Sequence, residues 1–191
     1  MPGKVASMKA RLLASIIVVS AIAVQSQAAM MAYLSIKGQK QGNFVGGILQ
    51  RGREGKIGVI AVDHDITSPR DARSGQSSGR RMHKPLKVTL ELDRATPLIY
   101  NALSTNENLP EVTLDFWGPS LKASTGVGVE VQHYSIKLTN ATISDVHFVM
   151  PNIRIAENAR LTEMIEVSFT YQKIEWIWKD GGIMATDDWG N

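Results

Sequence analysis

Four histidines, His64, His83, His133 and His147, are the residues of this 191-residue chain best suited to proton transfer or metal binding. Their spacing supports neither role. None stands in an H-E-x-x-H or H-x₃-H arrangement that would bring two imidazoles to one face of a helix. Asp63-His64-Asp65 offers three potential ligands in a row. Successive strand residues point to opposite faces, however, so a solvated strand end is expected there. Asp187-Asp188 falls in a Gly- and Asp-rich tail from Asp180 to Asn191, which is expected to be mobile unless a neighbour pins it and is a poor support for carboxylates in catalytic register. There is no G-x-S-x-G elbow and no P-loop. With zero Cys there is no thiolate nucleophile, no thiolate zinc site and no disulfide framework. Asn140-Ala141-Thr142 matches the glycosylation triplet but lies in a strand-like segment. The expectation is a protein without catalytic residues, metal or cofactor.

The residues that point to function lie in a loop. Ser68 to Lys84 is rich in Ser, Gly and Arg and has almost no large apolar side chain, so it cannot bury enough surface to order itself alone. A loop of this length in a compact domain is functional or disordered. From Arg70 to Lys87 the positives Arg70, Arg73, Arg80, Arg81, Lys84 and Lys87 outnumber the one acid, Asp71. Such a loop could grip phosphates. It lacks the aromatic residues on which single-strand binders stack bases, so nucleic acid is not an expected partner. The complementary use is self-association, a basic projection on one face meeting an acidic face of the next copy. That contact is heterologous and builds rings or filaments. A solvated, flexible loop is the remaining reading.

The charge of the whole chain agrees with a local contrast. Lys4, Lys9 and Arg11 precede an apolar run from Leu12 to Val24, and Ser26-Gln27-Ala28 offers small residues for cleavage. Residues 1–30 thus have the shape of a secretory signal peptide, too short to span a bilayer comfortably, and stable membrane insertion is not expected. Without this leader the chain has 18 basic against 18 acidic residues, so the formal +3 belongs to the leader. Residues 31–191 read as one domain.

The elements that must carry the loop are strands. Tyr33–Lys37, Phe44–Leu49 and Lys56–Val62 are the first candidates, with Gly46-Gly47 marking a bulge or close backbone approach in the second. Apolar residues at both parities of the third predict a strand covered on both sides, either inside a barrel or at a subunit contact. Leu86, Val88, Leu90 and Leu92 alternate with Lys87, Thr89, Glu91 and Asp93, the clearest half-buried strand. Thr96 is expected to cap a helix that has Pro97 first and Leu98, Ile99, Ala102 and Leu103 on its apolar face. Alternation resumes around Val112, Leu114 and Phe116, with a break expected at Gly118-Pro119 and a Gly/Ser-rich turn after it. It continues at Tyr134, Ile136 and Leu138, with a turn or bulge at Ser144-Asp145 before Val146 and Phe148. Pro151 to Arg160 reads as loop, and Ile165, Val167, Phe169 and Tyr171 mark the last long strand. Strands around one helix predict a mainly β fold, a barrel or sandwich.

Several ordered blocks resemble one family, the haemolysin-coregulated proteins of the bacterial type VI secretion system. They begin with Ala32-Tyr33-Leu34-Ser35-Ile36-Lys37-Gly38 and continue with Ser74-Gly75-Gln76, Gly79-Arg80, His83-Lys84-Pro85 and Pro97-Leu98-Ile99-Tyr100-Asn101-Ala102-Leu103. Leu138 to Ile143, Phe169 to Trp176 and Asp187-Asp188-Trp189 complete the likeness. The resemblance implies a β-barrel of two sheets with one flanking helix and an extended loop. It implies six copies closing into rings that stack into a tube inside a contractile sheath, with spike and effector proteins as partners and no catalytic site. Arg70, Arg73, Ser74, Gly75, Gln76, Gly79, Arg80, Arg81, His83, Lys84 and Pro85 then become the candidate ring-stacking residues. It also implies assembly in the cytoplasm followed by export to the exterior or a target cell. An export signal has no place in that route, so residues 1–30 are expected to reflect a misassigned start, with Met30 or Met31 as the true one. The alternatives are a specialised secreted effector or adhesin of this family, and a periplasmic β-barrel binding module using the leader.

Overall fold

The clearest alternation in the sequence becomes a strand, β6 (Leu86–Glu91), in which Leu86, Val88 and Leu90 are fully buried and Lys87 and Glu91 are exposed. The computed structural model describes residues 31–120 and 129–188. The leader, residues 1–30, and the turn expected after Pro119 lie outside the described residues. The strand β6 is one of six that close on themselves. The others are β1 (Met31–Gly38), β3 (Ile57–Asp63), β7 (Leu109–Pro119), β8 (Glu130–Val149) and β9 (Met164–Trp178). Antiparallel hydrogen bonding runs β6-β3-β1-β7-β8-β9 and then returns from β9 to β6. The result is a barrel, the expected mainly β fold.

Inside it, Leu34 and Ile36 of β1, Leu114 of β7, Leu138 of β8 and Phe169 of β9 join the β6 leucines in one buried cluster. The helix α1 (Thr96–Ser104) packs against β8 and adds Ile99 and Ala102 to the same cluster. Short strands decorate the barrel: β2 (Gly42–Asn43) pairs with β1, and β4 (Ile66–Thr67) pairs with β5 (Met82–His83) as a separate ribbon. The last strand, β10 (Ile183–Asp188), lies beside β9.

Several local expectations are corrected. Phe44–Leu49 forms no strand. Its backbone folds back instead on residues 55 and 56, with Gly46 N–H donating to the Gly55 carbonyl at 2.7 Å. The expected close approach is real, since a Cβ on Gly46 would stand 2.3 Å from the Lys56 carbonyl oxygen. The turn that follows is held to the barrel by the buried Arg53. Its guanidinium lies 4.0 Å from the Trp117 ring centroid, 2.7 Å from the Glu130 carboxylate and 3.1 Å from the Tyr33 hydroxyl. Thr96 does not cap the helix; it is the first helical residue, after Ala95. Asp93 makes the entry turn, its Oδ1 accepting the Ala95 N–H at 2.6 Å while Thr96 Oγ1 accepts the Asp93 N–H at 3.0 Å.

Gly118-Pro119 does not break β7, because Gly118 and Pro119 still pair with Val131 and Glu130. The irregularity at Ser144-Asp145 is a bulge within one continuous strand, not a turn. Within the tail, Ile183–Asp188 is held in place, because β10 pairs with β9 along its whole length. The second cover expected over β3 is not supplied by the described residues, which leave Ile60 50% exposed.

One buried charge holds the turn between β1 and β2. Glu107 is 2% exposed, and its Oε1 accepts the N–H groups of Lys40 and Gln41 at 2.6 and 2.9 Å. Burial alone would raise this carboxyl, but the hydrogen bonds from Gln41 and Lys40 outweigh it and leave it below its ordinary value. Such a group stabilises the fold fully above the ordinary glutamate value of 4.5 and stops doing so as pH falls through the folded-state value. Glu107→Ala is expected to cost about 1–3 kcal/mol in denaturant unfolding at neutral pH. The gap from the parent protein should narrow in acid.

Candidate functional site

The basic loop is better ordered than its composition predicts, and the order is local. Beyond the β4–β5 ribbon, Arg70 and Ser77 form a further bridge. At the tip, Asp71 Oδ1 accepts the N–H groups of Arg73 and Ser74 at 3.0 and 2.8 Å and the Ser74 hydroxyl at 2.9 Å. These bonds, led by the Ser74 N–H, hold the Asp71 carboxyl below its usual range. Gly75 turns the chain with φ of 69°, a conformation that glycine adopts without a Cβ clash. Every residue from Asp71 to Met82 is exposed. Backbone bonds and one aspartate therefore do what an apolar core cannot do here.

The root of the loop is fixed by a side-chain cluster. The Tyr171 hydroxyl, on β9, lies 2.8 Å from His64 Nε2 and 2.8 Å from His83 Nδ1. His83 Nε2 is in turn 2.9 Å from Asp187 Oδ2, on β10. Arg81 forms a two-pronged ion pair with the same Asp187 carboxylate through its Nε and Nη2. Just past β5, Lys84 pairs at 2.5 Å with Asp65, which stands before the other ribbon strand. The His83 side chain is 3% exposed and Asp187 15%. The three aromatic rings meet edge to face, with centroids 5.8–6.3 Å apart.

Electrostatics follow from these contacts. The Arg81 hydrogen bond, supported by His83, holds the Asp187 carboxyl below its ordinary range. Burial, with the Asp187 charge, raises the Tyr171 hydroxyl, so it stays protonated at every physiological pH. Burial and then the neighbouring His83 lower the His64 imidazole.

The predicted site residues therefore divide into two groups. Arg70, Arg73, Ser74, Gly75, Gln76, Gly79 and Arg80 lie along the exposed ribbon, where Arg70, Arg73 and Arg80 make no ion pair among the described residues. Arg81, His83 and Lys84 instead turn back to the chain's own acids, and Pro85 leads into β6. His64, Asp65, Tyr171 and Asp187 belong to the site although the sequence reading did not place them there. His64 and Asp187 stood out in the sequence, but their partners lie 107 and 106 residues away. The arrangement can present cations to a partner surface while neutralising those at its root. Tyr171→Phe removes the hydroxyl that both imidazoles share. It is expected to cost about 1–2 kcal/mol in denaturant unfolding, with the barrel's circular dichroism unchanged.

Comparison with known proteins accounts for the barrel and its loop together. Residues 33–178 match the family model described as the type VI secretion system effector Hcp. The chain is 35% identical over 167 residues to the Major exported protein of Pseudomonas aeruginosa, covering 83% of this chain and 94% of that protein. A crystal structure of an Hcp protein superposes with a TM-score of 0.75 at 34% identity, covering 84% of this chain and 98% of the other. The secreted protein Hcp3 from Pseudomonas aeruginosa gives 0.67 at 30% identity, over 84% and 99%. The fold, the loop and these likenesses agree: the chain belongs to the Hcp family of the type VI secretion system.

Proposed function

We propose that this chain is the subunit of a type VI secretion inner tube, six copies closing into a ring and rings stacking through the basic loop. The match to the family along nearly the whole barrel, residues 33–178, is the observation that carries this reading. The ribbon is suited to the stacking contact, since it stands on a fixed root with its tip exposed and three cations facing outward. The exposed Ile60 on β3 suits a barrel wall covered by a neighbour in the ring. In this reading the subunit assembles in the cytoplasm and leaves the cell when a contractile sheath drives the tube outward. Effectors travel in it or on its spike, and the subunit itself does scaffolding rather than chemistry. The name of the Pseudomonas aeruginosa relative, Major exported protein, agrees with export.

Negative-stain images of the purified chain from Met31 onward should show six-fold rings, whereas monomers alone at high concentration would overturn the reading. Deleting the protein should halt sheath-dependent export of every effector. Loss of its own export alone would instead mark a specialised secreted protein.

The stacking role makes a sharper demand on the outward cations. Arg70→Glu, Arg73→Glu and Arg80→Glu combined should leave the circular dichroism spectrum intact and shorten the tubes measured by sedimentation. Each exposed charge pair contributes little, so the effect relies on repetition around the ring and weakens in salt. Tubes of unchanged length would rule out electrostatic docking by this loop. Arg81 is left out of this variant because it holds Asp187.

A further inference from the structure

We infer that His64, Tyr171 and His83 form an acid-operated latch, which docks the root of the loop on β9 at neutral pH and releases it when both imidazoles are protonated. The cluster joins three segments to one strand. His64 lies between β3 and β4, His83 on β5 and Asp187 on β10; the two imidazoles meet at Tyr171 of β9, and Asp187 joins them through His83.

The hydrogen-bond directions follow from the end of the chain of contacts. Asp187, ionised beside Arg81, can only accept, so His83 Nε2 donates to it. A neutral His83 then accepts at Nδ1, where it takes the single phenol hydrogen of Tyr171. The Tyr171 oxygen is left to accept from His64 Nε2–H. With both imidazoles neutral, each of these contacts has one donor and one acceptor.

The cluster can absorb one proton but not two. A proton on His83 makes Nδ1 a donor, so the phenol hydrogen turns towards His64, whose own proton moves to Nδ1. A further proton on His64 then aims two N–H donors at one phenol oxygen and strands the phenol hydrogen in a half-buried site. It also sets two cations on rings whose centroids are 6.3 Å apart.

The charges around His64 do little to offset this. Asp65 is already paired with Lys84, Asp187 with Arg81 and Glu166 with Lys87, which leaves Asp63 as the nearby acid without an ion pair among the described residues. Burial and the His83 charge outweigh Asp63 and Asp65 and lower the His64 imidazole from its ordinary 6.5. A base lowered on docking favours the docked state fully above 6.5, and that contribution disappears as pH falls through the docked-state value. The loop root is affected rather than the barrel, because the β6–β9 ladder beneath it is closed by backbone hydrogen bonds. If the loop is the contact between rings, as in the function proposed above, acid would unstack the tube.

The test uses the full chain and hydrogen exchange, corrected for the intrinsic pH dependence of the amides. Between about pH 7.5 and about pH 5, protection at Ile66–Thr67 and Met82–His83 should fall by roughly threefold or more, while Leu86–Leu90 stays protected. His64→Gln, which can still bond to Tyr171 but cannot titrate, should keep ribbon protection at both pH values. NMR titration of the His64 imidazole in the parent protein should give the same midpoint as the loss of protection. Equal ribbon protection at both pH values, the same loss in His64→Gln, or a mismatched imidazole midpoint would each overturn the latch. Tube formation enters none of these readouts, so failure of the latch and failure of the tube reading remain distinct.

Discussion

The barrel exists because β9 hydrogen-bonds along both edges at once. One edge runs beside β8 from Met164 to Trp178. The other is divided, with Met164–Phe169 pairing to β6 and Lys173–Trp178 pairing to β10. Tyr171 sits in the gap between the two partners. At the same level the buried face changes parity, from Ile165, Val167 and Phe169 to Ile174 on β9, and from Ile136 and Leu138 to Ala141 and Ile143 on β8. Asn140 absorbs the change on β8 with φ of 49°, a conformation that asparagine tolerates better than most residues. A corner in the barrel wall thus becomes the place where a side chain can turn from the core towards a loop.

That corner explains how a strongly basic loop coexists with a near-neutral domain. Arg81 and Lys84, next to the barrel, are matched by Asp187 and Asp65. Farther out, Asp71 spends its carboxylate on backbone N–H groups and turns the chain rather than neutralising an arginine. Charge is balanced where the loop is rooted on the barrel, and along its exposed stretch Arg70, Arg73 and Arg80 make no ion pair among the described residues. The β10 strand serves this division directly, since it exists in part to bring Asp187 to the loop.

How far the sequence revealed this depended on the range of the interactions. β6 was legible because its burial repeats every second residue, and the helix because Ile99 and Ala102 share a face. The loop's extent and charge were legible from composition. The anchor was not. His64 and Asp187 read as solvated ends because each finds a side-chain partner more than a hundred residues away in sequence. The Phe44–Leu49 misreading has the opposite cause: its apolar residues fit a strand, but Gly46 presses against the Lys56 carbonyl and the segment packs as a clasp. The helix entry is local, but Thr96 had a residue type suited to capping, whereas Asp93 two residues upstream of the cap does that work.

The closing seam also orders the events of folding. The pairing of β8 with β9 is local and long, a hairpin whose strands are neighbours in sequence. The seam between Leu86–Glu91 and Met164–Phe169, by contrast, must bring together segments with the helix, β7 and β8 between them. Loop-closure entropy opposes that step until the intervening strands have already shortened the effective loop. The hairpin is therefore the expected nucleus, and the seam an expected late step together with the β1–β7 pairing, whose partners are as far apart in sequence. Until these long-range ladders form, the apolar inner faces of their strands stay open to neighbouring chains, so rapid synthesis at high concentration exposes them to aggregation.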